Sequence, residues 1–144
     1  MKSSADMTEV KRIQDHVVGF EPPDICVVRF GETLAYEDGR AVYEEELRLA
    51  EEHGAIFVLS DLRGVRSITA EARKIAAELK ASPQILGVAN FGVSFRIRVL
   101  AKLVVTLRRL AGQQIEGFLY MGVDEADARA WIAERRLERA RKGG

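Results

Sequence analysis

The chain has 144 residues, 47% hydrophobic and 31% charged, with 22 basic residues balanced by 22 acidic ones. That length is enough for one domain with a real core, and a net charge of zero excludes bulk nucleic-acid binding, which needs an excess of Lys and Arg. Cys26 is the sole cysteine and His16 and His53 are the two histidines, so an internal disulfide and a zinc site are excluded and a cytoplasmic location is the simplest reading.

Residues 1–12, MKSSADMTEVKR, are polar and read as a flexible N-terminus without a signal-peptide core. A single domain is expected over 13–138, followed by a basic tail over 139–144. HVVGFEPPDICVVRF gives two apolar runs around Glu21-Pro22-Pro23-Asp24. Proline cannot donate to a strand ladder and Pro-Asp favours a turn, so the two runs form an antiparallel hairpin. Tyr36 to His53 is helical in period, with Val42, Tyr43, Leu47 and Ala50 on one face and Gly54 as the stop. Ala55 to Leu62, AIFVLSDL, is a near-continuous apolar run suited to a central parallel strand covered on both faces.

Thr69 then caps a helix to about Lys80, with Ile75, Ala76 and Leu79 on its apolar face. Ile85 to Val93 is a second buried strand. Ser94 caps a third helix, Phe95 to Ala111, ended by Gly112. Ile115 to Val123 is the last strand, and Asp124 caps a final helix carrying Trp131 and Ile132. The order β-β-α-β-α-β-α-β-α predicts an α/β fold, its sheet mostly parallel with an antiparallel edge hairpin strand. No uncharged run is long enough to span a bilayer.

Charge is unevenly placed. Gly31 to Ser60 holds eight acids and two bases, whereas Phe95 to Ala111 holds five bases and no acid. At about 100° per residue, Val99, Leu103, Leu110, Leu107, Leu100, Ala111, Val104 and Ile97 cover roughly 40° to 200° of the third helix, and Arg98, Lys102 and Arg109 cluster near 300° to 340°. The expected arrangement is a buried apolar face and a basic face that binds an anion or a partner. In an open α/β sheet, ligands favour the crevice beyond the carboxyl ends of the strands. Asp61, Arg63, Thr69, Asn90, Ser94 and Arg96 are expected to gather there, near two helix N-termini. Neither histidine has a reactive neighbour in the predicted order, and Ser94 lacks a nucleophile-elbow context. No catalytic residue, metal or cofactor is assigned.

This element order, with FEPPDICVVRF, VLSDLRGVRSITAEARK, VSFRIRVLAKLV and DEADARAWI, resembles the STAS fold of anti-sigma factor antagonists. It looks closer to the SpoIIAA-like branch, whose members are also grouped with the Sec14 (CRAL-TRIO) lipid-binding domain. The resemblance spans roughly Val17 to Ile132 and implies a non-catalytic regulatory module with a protein partner, in cytoplasmic signalling. Self-association into a homodimer is also expected, since STAS-like domains often self-associate. Phosphorylated members carry Asp-Ser-Ser-Gly at the start of the second helix. This sequence has Thr69, Ala70, Glu71 and Ala72 there, so the usual phosphoserine switch is missing. The alternative implied by the Sec14 grouping is a domain binding a lipid or small anionic ligand. The two differ in one structural feature: a ligand carrier needs a cavity of roughly 300–1,000 Å³ lined by the third helix.

Overall fold

The computed structural model describes residues 7–78, 82–110, 112 and 117–143. The positions expected for Leu79, the helix end near Lys80, Ala111 and the Ile115 end of the last strand lie outside the described residues, as do the side chains of Ile75, Ala76, Val104 and Leu107.

Six strands form one sheet in the order β1-β2-β3-β5-β7-β8. The predicted hairpin is β2 (His16–Glu21) and β3 (Ile25–Arg29), antiparallel from Val17 opposite Arg29 to Glu21 opposite Ile25. From β3 inward the pairings are parallel: β3 with β5 (Ile56–Asp61), β5 with β7 (Ile85–Phe91), and β7 with β8 (Leu119–Met121). The mostly parallel α/β architecture is therefore as the sequence predicts. Every residue of β5 is buried, as befits a strand covered on both faces.

One strand lies outside the predicted order. Thr8–Ile13 is not frayed but forms β1, an antiparallel edge strand on β2. Its residues are nearly all exposed, so no apolar alternation marks it. A charged edge strand of this kind deters pairing with a further chain. A two-stranded parallel sheet, β4 (Thr33–Leu34) with β6 (Ser67–Ile68), also escapes the sequence, being too short for any period.

The helices are α1 (Tyr36–His53), α2 (Ala70–Glu78), α3 (Phe95–Leu110) and α4 (Glu125–Gly143). α1 has the predicted bounds; Gly54 follows at φ 93° and its N–H bonds Ala50 O at 2.9 Å. Its left-handed conformation is one that glycine adopts without strain. Helix α4 continues through the basic stretch that the sequence set apart as a tail. The three predicted caps are present: Thr69 Oγ1 accepts from Ala72 N–H (3.1 Å), Ser94 Oγ from Ile97 N–H (3.3 Å), and Asp124 Oδ1 from Asp127 N–H (2.8 Å).

The sheet has a core on each face. Ile56 and Val58 of β5 point to α1, packing with Val42, Leu49 and Ala50. Phe57 and Leu59 point the other way, with Ala128 and Ile132 of α4. Alternate side chains of one strand thus hold opposite layers together. Arg129 of α4 forks onto buried Glu21 at 2.8 and 2.9 Å, tying that helix to the hairpin turn.

Candidate ligand cavity and basic groove

Helices α1, α2 and α3 do not close completely over their face of the sheet. Between them and the strands lies a partly open cavity of about 330 Å³. Of the 22 described residues that line it, 15 are apolar, among them Val58, Ile85, Ile97, Leu100 and Met121. The third helix contributes Ile97, Leu100, Ala101, Val105 and Arg108. The start of α2 contributes Ala72 and Arg73, just after Ile68.

The polar groups of the cavity are few. Glu46 lines it from α1, beside Tyr43, and burial pushes the Glu46 carboxyl up from the ordinary 4.5 to about 8. At neutral pH it is therefore mainly a neutral acid, able to donate a hydrogen bond. Arg108 enters from α3, and burial lowers its basicity while the nearby Tyr43 raises it. Arg73 Nη1 donates to Ile68 O at 3.0 Å, and Asn90 Nδ2 donates to Tyr120 O at 3.2 Å. An apolar chamber with a hydroxyl, a neutral carboxyl and a guanidinium at its wall is suited to an amphiphile: a hydrocarbon body with one oxygen-rich head.

The residues singled out in the sequence fall into separate places rather than one crevice. Asp61 and Arg63 satisfy each other at the end of β5, with Nε at 3.0 Å and Nη2 at 2.7 Å from the carboxylate. Burial alone would raise the Asp61 carboxyl, but the hydrogen bonds from Arg63, with Arg29 nearby, hold it below its ordinary value. The Arg63 guanidinium also lies 5.3 Å from the centre of the Phe91 ring. Asn90 belongs to the cavity, Thr69 and Ser94 serve as caps, and Arg96 is exposed on α3. Arg98, Lys102 and Arg109 do come together. They line a groove between α3 and the segment from Gly117 to Asp127.

The orientation of α3 departs from the expectation. Val99, Leu103 and Leu110 were placed on the buried face, yet they are 51%, 54% and 80% exposed, and Phe95 is 83% exposed. Ile97, only 4% exposed, anchors the helix, with Leu100, Ala101 and Val105 beside it. Apolar residues cover more of this helix than one face can bury, and a wheel does not say which part docks. Rolling the helix toward Val105 also brings Arg108 into the cavity.

The histidines are structural. His16 is fully buried; its Nδ1 accepts Gly31 N–H at 2.9 Å, which leaves Nε2–H to donate to Asp38 at 3.2 Å. His53 stacks on Phe20, centroids 3.8 Å apart, and contacts Glu9. Contrary to the reading of the two histidines as isolated, Glu9, Glu52 and His53 bring one ligand-type atom each within 4.8 Å of one another, all at the surface. Cys26 is a core residue whose thiol burial pushes well up.

A crystal structure of an uncharacterised DUF3478-family protein from Shewanella loihica PV-4, described as having a SpoIIAA-like fold, superposes with a TM-score of 0.50. The two share 17% identity over 87% of this chain and 90% of the other. The fold is SpoIIAA-like. The sequence itself matches no protein-family model and no curated protein. Within the SpoIIAA-like frame, the start of α2 carries Thr69 as a cap and the exposed Glu71 in its first turn, with the small Ala72 buried beneath. Among the described residues, no helix is long and apolar enough to cross a membrane.

Proposed function

We propose that this chain is a non-catalytic SpoIIAA-like regulatory module that takes a small amphiphile into the cavity beneath α3. The observation that carries the reading is the cavity itself: about 330 Å³, apolar, lined by the third helix, within the range of small-ligand sites. A purely surface-acting module has no need of one. The cavity also runs under Ile68, Ala72 and Arg73, at the helix start where phosphorylated relatives of the fold carry their serine. Occupancy of the chamber stands in for phosphate as the event that alters the surface of α2 and α3 toward a protein partner.

Titration with cis-parinaric acid, a fluorescent fatty acid, tests this. Saturable one-to-one binding that Ala101→Phe abolishes supports it, since a phenyl ring at Ala101 fills the chamber from α3. Equal binding by wild type and an Ala101→Phe variant of unchanged stability overturns it. Homodimerisation through the acidic and basic helices is a second arrangement to test. Its support is the charge asymmetry alone, and sedimentation at low and high salt decides it.

A further inference from the structure

The two edges of the sheet are guarded differently. Strand β1, TEVKRI, is charged and exposed, which blunts an edge. Strand β8, Leu119–Met121, is the other edge and carries no charge, and Val123 just past it is 70% exposed. Among the described residues no strand lies beyond β8. The register fixes which groups are left open there. Val88 N–H donates to Phe118 O at 2.7 Å and Gly122 N–H to Asn90 O at 2.9 Å, with Leu119 opposite Val88 and Met121 opposite Asn90. Along a strand the main-chain groups of successive residues turn to opposite sides. Phe118, Tyr120 and Gly122 therefore face β7, and the N–H and C=O of Leu119 and Met121 face outward. Such a row is a template for one more strand.

This edge also forms one wall of the basic groove. The groove, about 640 Å³, runs between Leu119 to Val123 and the cations Arg98, Lys102 and Arg109 of α3, with Asp127 from the first turn of α4. Three cations and one acid leave this lining net positive. Arg109 has contacts of its own, whereas Arg98 Nε is buried without an acceptor among the described residues. Leu119 and Met121 line the cavity under α3, while Tyr120 packs on Trp131 of α4. A strand added to β8 would show its side chains alternately to the same two helices.

We propose that the β8 edge takes an extended acidic segment of a partner protein as a further strand, its main chain bonded to Leu119 and Met121 and its alternate acids facing Arg98 and Lys102. In this mode main-chain bonds give affinity and alternate side chains give specificity. The residues between the acids face the α4 side, where Asp127 disfavours another acid, so the pattern read is acid, uncharged, acid. A second copy fits poorly: its β1 would bring Lys11 and Arg12, and its β8 would bring Arg98 and Lys102, to the same cations. The groove gives the regulatory module a partner surface without resting on occupancy of the chamber.

Fluorescence anisotropy with a labelled synthetic peptide in which Glu alternates with Val tests the proposal. The wild type is expected to bind it saturably, and more tightly at low salt. A peptide with Lys in place of Glu should not bind, nor should one with a central proline, which loses a main-chain donor. Lys102→Glu should weaken binding about tenfold as attraction becomes repulsion, at an unchanged melting temperature, since Lys102 is exposed. That variant should still bind cis-parinaric acid, because Lys102 is not part of the cavity lining, so this reading and the cavity reading fail separately. Hydrogen exchange followed by NMR should show the Leu119 and Met121 amides exchanging fast in the free protein and protected by the peptide. Amides already protected without peptide overturn the proposal, because the chain itself then occupies the edge. So does a Glu peptide that fails to bind, equal binding of the Glu and Lys peptides, or binding that leaves those amides unprotected.

Discussion

Replacing Glu46 with Gln removes a cavity carboxyl that burial pushes up to about 8. In the folded chain Glu46 is neutral until the pH approaches that value, whereas in the unfolded chain it ionises near 4.5. Below about 4.5 both states hold the proton and Glu46 contributes no pH dependence. Between 4.5 and 8 only the folded state keeps it, so stability falls as pH rises; above 8 the loss is complete. The slope is about 1.4 kcal/mol per pH unit, which accumulates to about 3 kcal/mol by neutrality. Glu46→Gln keeps the shape and does not titrate. Its urea-derived stability should match wild type near the acid end of this window, exceed it by about 3 kcal/mol at neutrality and by about 4–5 kcal/mol near the alkaline end, on the same slope. Stabilities of the two proteins that run parallel across the window would refute the placement of Glu46 in an apolar chamber. A ligand head that accepts from the protonated Glu46 would in addition bind more weakly as pH rises through 8.

Gly87→Ala on β7 should destabilise by about 1–3 kcal/mol, because a Cβ there would sit 2.9 Å from Trp131 Cη2 and 3.3 Å from Phe118 O; a shifted tryptophan emission would accompany the loss, and an unchanged spectrum and melt would contradict the docking of α4. Thr69→Ala should cost about 1 kcal/mol by removing the α2 cap, read from urea melts, with no loss if the cap is idle. Incubation with kinases from the native host should leave Ser67 and Thr69 unphosphorylated by peptide mapping, and stoichiometric phosphate on either would restore the switch that the sequence lacks.

The hairpin, the bounds of α1 and the caps were legible because each rests on local chemistry: Pro22-Pro23-Asp24 for the bend, the helical period closed by Gly54, and Thr69, Ser94 and Asp124 before helical periods; the near-continuous apolar run of β5 marked the central strand in the same way. Strand β1 was not legible, since Thr8–Ile13 is exposed and charged and earns its place only by pairing with β2. The cavity was half legible. Glu46 lies at about 280° on an α1 wheel whose apolar arc runs from Leu49 at about 220° to Leu47 at about 20°. An acid in the middle of a buried arc is a signal that sequence alone carries. Arg108, at about 220° beside Ile97 at about 200° on α3, is the same signal on the opposite wall. What sequence could not carry is the roll of α3. That angle depends on how Ile97, Leu100 and Val105 meet strands brought together only by the sheet, and it decides which apolar residues are left outside.

Native mass spectrometry of the protein purified from its own host tests the cavity most directly. The account predicts a wild-type mass above that of the chain by one small molecule, released on denaturation, and the bare chain mass for Ala101→Phe. A bare wild-type chain, or an adduct retained unchanged by Ala101→Phe, would contradict it.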